Sequence, residues 1–345
     1  MKCFYYNDLD GVCGAYWIER YCQGADIETT PDDFQKINNG QSVPIDIISD
    51  EEMIFIIGCY IEPHDMMKLL QITKNIIWIH HHISLDIMYE NCNIHIPGIR
   101  TDQKISTCLL AYIFMKGFLN ISDEKSWSRT FIRMLDDGII KQHAGNNYPE
   151  LFIDENVMNN YDYLSNLCLF YSPKFTRLIS DYNTGKNLHY KDSKYFYLSL
   201  SSKSLSNDPL NSGWHELENF PSITEDMIDI GECMDEYKTH FESAYTSSVG
   251  FDATMVYDGT IYKCKVINLG SYDESIFNSI DNKSDYDIFI IFSYIGNDKK
   301  YHYTLYSDKV DIHKIAVSYG GNGYVGGPAI FSSANNIFEN DPVII

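Results

Sequence analysis

Short, wholly apolar runs, each followed by a helical pattern, constrain this chain more than any other feature. Over the first 140 residues, positions 2–6, 53–57 and 75–79 read as strands, and 12–22, 63–70 and 106–118 read as helices. A strand of four or five residues without polar alternation has no face suited to water, so it belongs in a sheet covered on both sides. Strands of that kind separated by helices form βαβ units and a parallel sheet. Ligands of such sheets bind beyond the carboxyl ends of the strands, so the residues just after each apolar run are the first candidates for chemistry.

The rest of the chain reads differently. Residues 121–190 alternate helical and polar stretches, with 164–171 a buried segment, and 200–222 is rich in Ser, Asn and Pro, as in a loop or linker. A helix is expected over 224–245, with Thr224 as its N-cap and Asp226 and Asp229 near its positive end. Beyond Gly250 the pattern turns to strands at 253–257, 260–266 and 287–293, with turns at Asp258-Gly259 and Gly296-Asn297-Asp298. The expectation is an α/β protein. Its parallel-sheet N-terminal domain would cover 1–200, a linker with a connecting helix 201–248, and a smaller mixed α/β domain 249–345.

Charge narrows the partners. The 345 residues carry 26 Lys plus Arg against 48 Asp plus Glu, a net charge of −22. The last of the five arginines is Arg177. Long nucleic acid is a poor partner for such a chain, because each phosphate contact normally recruits a Lys or Arg. A small nucleotide held by a few local groups or a metal remains compatible. The nine cysteines show no C-x-x-C pair, as expected of reduced, buried thiols. The opening MKCFYYNDLDG lacks the pattern of a secretory leader. The longest apolar stretches, 54–61 and 108–115, are far below the roughly 20 residues that span a bilayer. A soluble cytoplasmic protein with no membrane partner is expected.

Four constellations could carry chemistry. Tyr6-Asn7-Asp8-Leu9-Asp10-Gly11 ends the first strand; carboxylates two apart before a glycine suit a hard cation, while Asp10 could equally cap the following helix. His80-His81-His82 ends another strand, although consecutive side chains alternate in direction and cannot all face one ion. Asp136-Asp137-Gly138 follows an apolar segment and by itself reads as a turn. Gly320-Gly321-Asn322-Gly323-Tyr324 opens a stretch with five glycines in eight residues, whose backbone N–H groups suit a phosphate cradle or a glycine-rich turn.

In order and spacing, these elements resemble the DHH family of phosphoesterases with its DHH-associated C-terminal domain. Asp8, Asp10 and Gly11 match its H-x-D-x-D-G motif, His81 and His82 the end of D-H-H, and Asp136 the further acidic position. Ile61-Glu62-Pro63, Ser106-Thr107 and the segment 227–237 also resemble family positions. The resemblance implies one or two Mn²⁺ or Mg²⁺ ions held by Asp8, Asp10, His80, His81 and Asp136, with His81 and His82 catalytic. It implies hydrolysis of small nucleotides, cyclic dinucleotides or short oligonucleotides by metal-assisted displacement. Gly320, Gly321, Asn322, Gly323, Tyr324 and Tyr306 would bind substrate, and a homodimer is left open.

The departures from the family pattern are specific. Tyr6 stands where the first His belongs, Gly58 where the second motif has Asp, and His80 where D-H-H begins with Asp. Tyr324 replaces the His of G-G-G-G-H, Asn322 one of its glycines, and Tyr306 the Arg of S-L-R-S. Two readings follow: a hydrolase with His80 as a substitute nitrogen ligand, or an impaired relative that binds or sequesters a nucleotide. Tyr306 and Tyr324 would then stack on a base, or serve as ordinary packing.

Overall fold

The computed structural model describes residues 1–38, 40–81, 89, 96–100, 105–118, 140–143, 150–153, 172–185, 189–270, 272–323 and 327–338. Backbone contacts divide the chain into two units, Met1–Met234 and Asp235–Ile345.

The first unit is built on a seven-stranded sheet of β1 (Lys2–Tyr6), β2 (Phe34–Ile37), β3 (Ile54–Ile57), β4 (Ile76–His80), β5 (Gly98–Arg100), β6 (Ile140–His143) and β7 (Glu150–Ile153). Their order is 2-1-3-4-5-7-6. All neighbours pair parallel except β6, which runs antiparallel to β7. The parallel α/β layout expected from the apolar runs is present. Strands β2 and β5 escape a sequence reading because β2 carries Gln35 and Lys36 at the sheet edge and β5 is only three residues long.

Alternation along each central strand shows why those runs are wholly apolar. Cys3, Tyr5, Phe55, Ile57, Ile77 and Ile79 pack on one face with the helices Leu9–Gly24, Thr107–Phe118 and Lys174–Thr184. Phe4, Ile54, Ile56, Ile76 and Trp78 pack on the other with Met66 and Leu69 of helix Pro63–Ile72. Each residue in these strands has a buried face to fill, and a polar side chain there would lose water without a partner.

The Ser- and Pro-rich stretch expected to be a loop instead contains helix Gly213–Asn219. Trp214 has no exposed surface, stacks on Tyr16 with centroids 5.8 Å apart, and donates its indole N–H to the Asp208 carbonyl at 2.9 Å. One large anchor outweighs the loop-like composition around it. The following helix is longer than the expected span, Pro221–Val249, and places Thr224 inside its first turns rather than at its cap. Met227 and Ile228 pack into the first unit, so the division at residue 234 falls within this helix.

The second unit carries a six-stranded sheet: β8 (Phe251–Tyr257), β9 (Thr260–Asn268), β10 (Ile288–Ile295), β11 (Lys300–Tyr306), β12 (Asn322–Gly323) and β13 (Ala329–Ser333). The order is 12-13-11-10-9-8, with β9 and β10 parallel and the other neighbours antiparallel. Asp258 and Gly259 turn the β8–β9 hairpin with φ of 49° and 74°, as a tight two-residue connection requires. Helix Ile312–Ser318 covers a core formed by Met255, Ile290, Leu305 and Phe331. The smaller domain is therefore mixed α/β, as expected. Among the described residues no helix is long and apolar enough to cross a membrane.

Candidate functional site

Strand order decides where a site can form. From β1 the chain moves to one side for β2 and to the other for β3, so the order reverses between β1 and β3. Crevices at such reversals, outside the carboxyl ends of the strands, are where open parallel sheets bind ligands. Asn7 and Asp8 follow β1, Gly58 follows β3 and His81 follows β4.

Asp8 is the N-cap of helix Leu9–Gly24, and its carboxylate accepts the Gly11 N–H at 2.7 Å. Asp10, in the first turn, is buried, and its two carboxylate oxygens accept the amide N–H groups of Thr107 at 2.9 Å and Cys108 at 2.8 Å. Asp10 thus satisfies orphan donors at the start of helix Thr107–Phe118, where negative charge is also favoured by the helix dipole. The Thr107 hydroxyl lies 2.7 Å from Nδ1 of His81, and that nitrogen is 3.9 Å from the Asp10 carboxylate. Three residues distant in sequence therefore meet around the first turn of one helix. Burial pushes the Asp8 carboxyl up, the neighbouring Asp10 charge adds to this, and the Gly11 N–H opposes it, leaving the group at about 6. Thr107, which joins Asp10 to His81, is the member least visible in sequence. Its signal was the Ser106-Thr107 pair opening an apolar helix.

His80 adjoins this group through His81, the two ring centroids lying 5.7 Å apart. It is the last residue of β4, buried on the face of Trp78, with the two ring centroids 5.9 Å apart. Its Nδ1 accepts the His81 backbone N–H at 2.7 Å. Residues two apart on a strand share a face, so His80 lies on the Trp78 side of β4, and His81 follows just beyond the strand. Gly58 has φ of +69°, and a Cβ built there would lie 3.4 Å from the Thr107 hydroxyl and 3.6 Å from the Tyr6 Cβ. A side chain at 58 would enter the site without collision, although a left-handed backbone is strained for most residues.

The described donors do not by themselves complete a metal pair. Each Asp10 oxygen already accepts one backbone N–H group, and residue 58 brings no side-chain ligand. Among the described residues no three His, Cys, Asp or Glu side chains gather closely enough to hold an ion. His82, Asp136 and Tyr324, also expected at the site, lie outside the described residues.

In the second unit the glycine-rich segment is a helix end. The Gly320 N–H donates to the Val317 carbonyl at 2.9 Å and the Gly321 N–H to the Ala316 carbonyl at 2.8 Å, closing helix Ile312–Ser318. Gly323 pairs with Ala329 in β12, and its N–H donates to the Asn322 side chain at 2.8 Å. A Cβ on Gly321 would lie 2.2 Å from the Ile330 carbonyl, so glycine here permits close approach to β13. The N–H groups of Gly320, Gly321 and Gly323 are thus bonded within the fold. Tyr306 is half-buried, its ring near Phe277 with centroids 6.5 Å apart and its hydroxyl donating to the Tyr272 carbonyl at 3.4 Å. It packs within the unit.

No family profile and no curated protein sequence matches the chain. Solved structures match over most of its length at low identity. An uncharacterized protein from Helicobacter pylori is 12% identical, covers 98% of this chain and 94% of its own, and has a TM-score of 0.28. The pGpG-specific phosphodiesterase PggH from Vibrio cholerae is 11% identical with 96% and 93% coverage and a TM-score of 0.37. RecJ from Thermus thermophilus, solved in complex with Mn²⁺, is 11% identical, covers 96% of this chain and 49% of its own, and has a TM-score of 0.39. Likeness this distant carries no argument about what the chain does.

Proposed function

We propose that this chain is a phosphoesterase-type protein that binds a small nucleotide at the carboxyl edge of its parallel sheet and whose hydrolytic chemistry is impaired. The observation carrying this reading is the convergence of Asp8, Asp10 and His81 at the β1/β3 reversal, with their neighbours committed elsewhere. The convergence marks a place for a ligand. The missing side chain at Gly58 takes away a group that a metal pair would use. Two carboxylates without an adjacent cation repel a bare phosphate, so recognition rests on the uncharged part of the ligand. A net charge of −22 adds to that repulsion and keeps long nucleic acid away.

One observation favours a hydrolase instead. The Asp8 carboxyl, held at about 6, is placed to exchange a proton near neutrality, as an acid or base in catalysis must. A panel of mononucleotides, linear dinucleotides and cyclic dinucleotides separates the two, with thermal shift and product formation read in parallel, with and without Mn²⁺. Stabilisation without product is the expected result. Mn²⁺-dependent product that disappears in Asp8→Ala would replace the binding reading with the hydrolase, and neither stabilisation nor product would end both.

A further inference from the structure

Beside the β1/β3 reversal, on the face opposite Asp10 and His81, lies a cavity of about 330 Å³. Its polar lining includes Tyr6, Asn38, Gln41, Tyr60, Glu62 and Asp65, over an apolar floor that includes Ile37 and Ile61. Tyr6 ends β1, and its Cβ is the atom 3.6 Å from the position a Gly58 Cβ would occupy, so the cavity begins where the other site ends. None of the described lining residues is Lys or Arg.

The hydrogen bonds around the rim show which groups remain for a ligand. Asn38 is held on both sides: its side-chain oxygen accepts from Asn7 at 2.8 Å, and its N–H groups donate to the Gln41 side-chain oxygen at 2.9 and 3.1 Å. Gln41 therefore presents its amide nitrogen, a donor, with no partner among the described residues. Tyr60 donates its hydroxyl to one oxygen of Glu62 at 2.6 Å, which orients that carboxylate and holds the phenol above its ordinary range. The second Glu62 oxygen keeps its acceptor capacity. A carboxylate and an amide donor beside two aromatic rings, with no Lys or Arg among the described lining residues, suit a flat, uncharged heterocycle with adjacent N–H donors and a nearby acceptor. They do not suit phosphate.

We propose that this cavity is a nucleobase pocket selecting guanine-type bases, with neighbouring ring and amino N–H groups donating to Glu62 and a carbonyl accepting from Gln41. The proposal rests on the nucleotide-binding reading above. It adds that affinity resides in the base rather than the phosphate. Aromatic residues 6 and 60 provide the stacking surface that tolerates any base, and Glu62 provides the discrimination.

Calorimetric titration of the full chain with guanosine, guanosine 5′-monophosphate, adenosine and inorganic phosphate tests this, in wild type and in Glu62→Gln. Glu62 is exposed, so the variant keeps its fold, and an unchanged melting temperature verifies it. Guanosine is expected to bind about as tightly as its monophosphate, with inorganic phosphate not binding. Glu62→Gln should weaken both guanine ligands by about tenfold or more, the effect of losing a charge-assisted hydrogen bond. Guanosine monophosphate binding that Glu62→Gln leaves unchanged would overturn the pocket while leaving nucleotide binding intact. Adenosine binding as tightly as guanosine would overturn the base selectivity. No binding by any nucleoside or nucleotide would bring down both the pocket and the reading beneath it.

Discussion

Asp8→Asn should make the first unit more stable at neutral pH and leave it nearly unchanged in acid. Asparagine keeps the shape and the side-chain oxygen that accepts the Gly11 N–H, and it caps helices about as well as aspartate. What it removes is a charge that burial and Asp10 disfavour. The carboxyl moves from 3.8 to about 6 on folding, so the native state binds its proton more tightly than the unfolded chain does. The group's contribution is therefore most favourable below 3.8, declines as pH rises from 3.8 to 6, and is fully unfavourable above 6. Two units correspond to about 3 kcal/mol, which partial exposure and the lost attraction to the helix N-terminus reduce to about 2 kcal/mol. For a unit of this size that is roughly 4–8 °C in melting temperature. Tryptophan fluorescence is a selective probe, because Trp17, Trp78 and Trp214 are all buried in the first unit. Urea melts with chelator at pH 7.5 and pH 4.5 should show a large gain for Asp8→Asn at the higher pH and a small one at the lower. A variant that is less stable at pH 7.5, or equally shifted at both, would refute the account of a disfavoured charge.

Three further outcomes follow from the same geometry. Asp10→Ala leaves the Thr107 and Cys108 N–H groups buried without acceptors and should cost about 3 kcal/mol or more in the same urea assay; a cost near zero would mean water replaces the carboxylate. Gly58→Asp should fold with a loss of about 1–2 kcal/mol from the left-handed backbone, and should gain a Mn²⁺-dependent thermal shift that wild type lacks; a wild-type shift as large would restore a metal to the site. Gly321→Ala should lower the stability of the second unit, read by tyrosine near-ultraviolet circular dichroism, because its methyl group meets the Ile330 carbonyl, and should leave nucleotide binding by folded protein intact. Loss of binding at full folding would return the glycine segment to the site.

Local chemistry was enough to place the core. Apolar runs at β1, β3 and β4 have one arrangement that buries both faces, so the parallel sheet and the loops that follow it were legible without coordinates. The pairing of Asp8 and Asp10 at a helix start follows from the same local periodicities. Which histidine faced inward, however, depended on strand register. His80 falls within β4 on the Trp78 side, whereas His81 lies beyond the strand next to Thr107.

Tertiary structure alone decided the rest. That Asp10 caps a helix nearly a hundred residues away, that Trp214 anchors a segment with loop-like composition, and that Gly321 serves close packing are facts about partners remote in sequence. The cavity beside Tyr6 is also of this kind, since its residues come from three separate strand ends. A sequence fixes what each residue can donate, accept or bury. Whether those capacities remain for a ligand depends on which of them the fold has already satisfied.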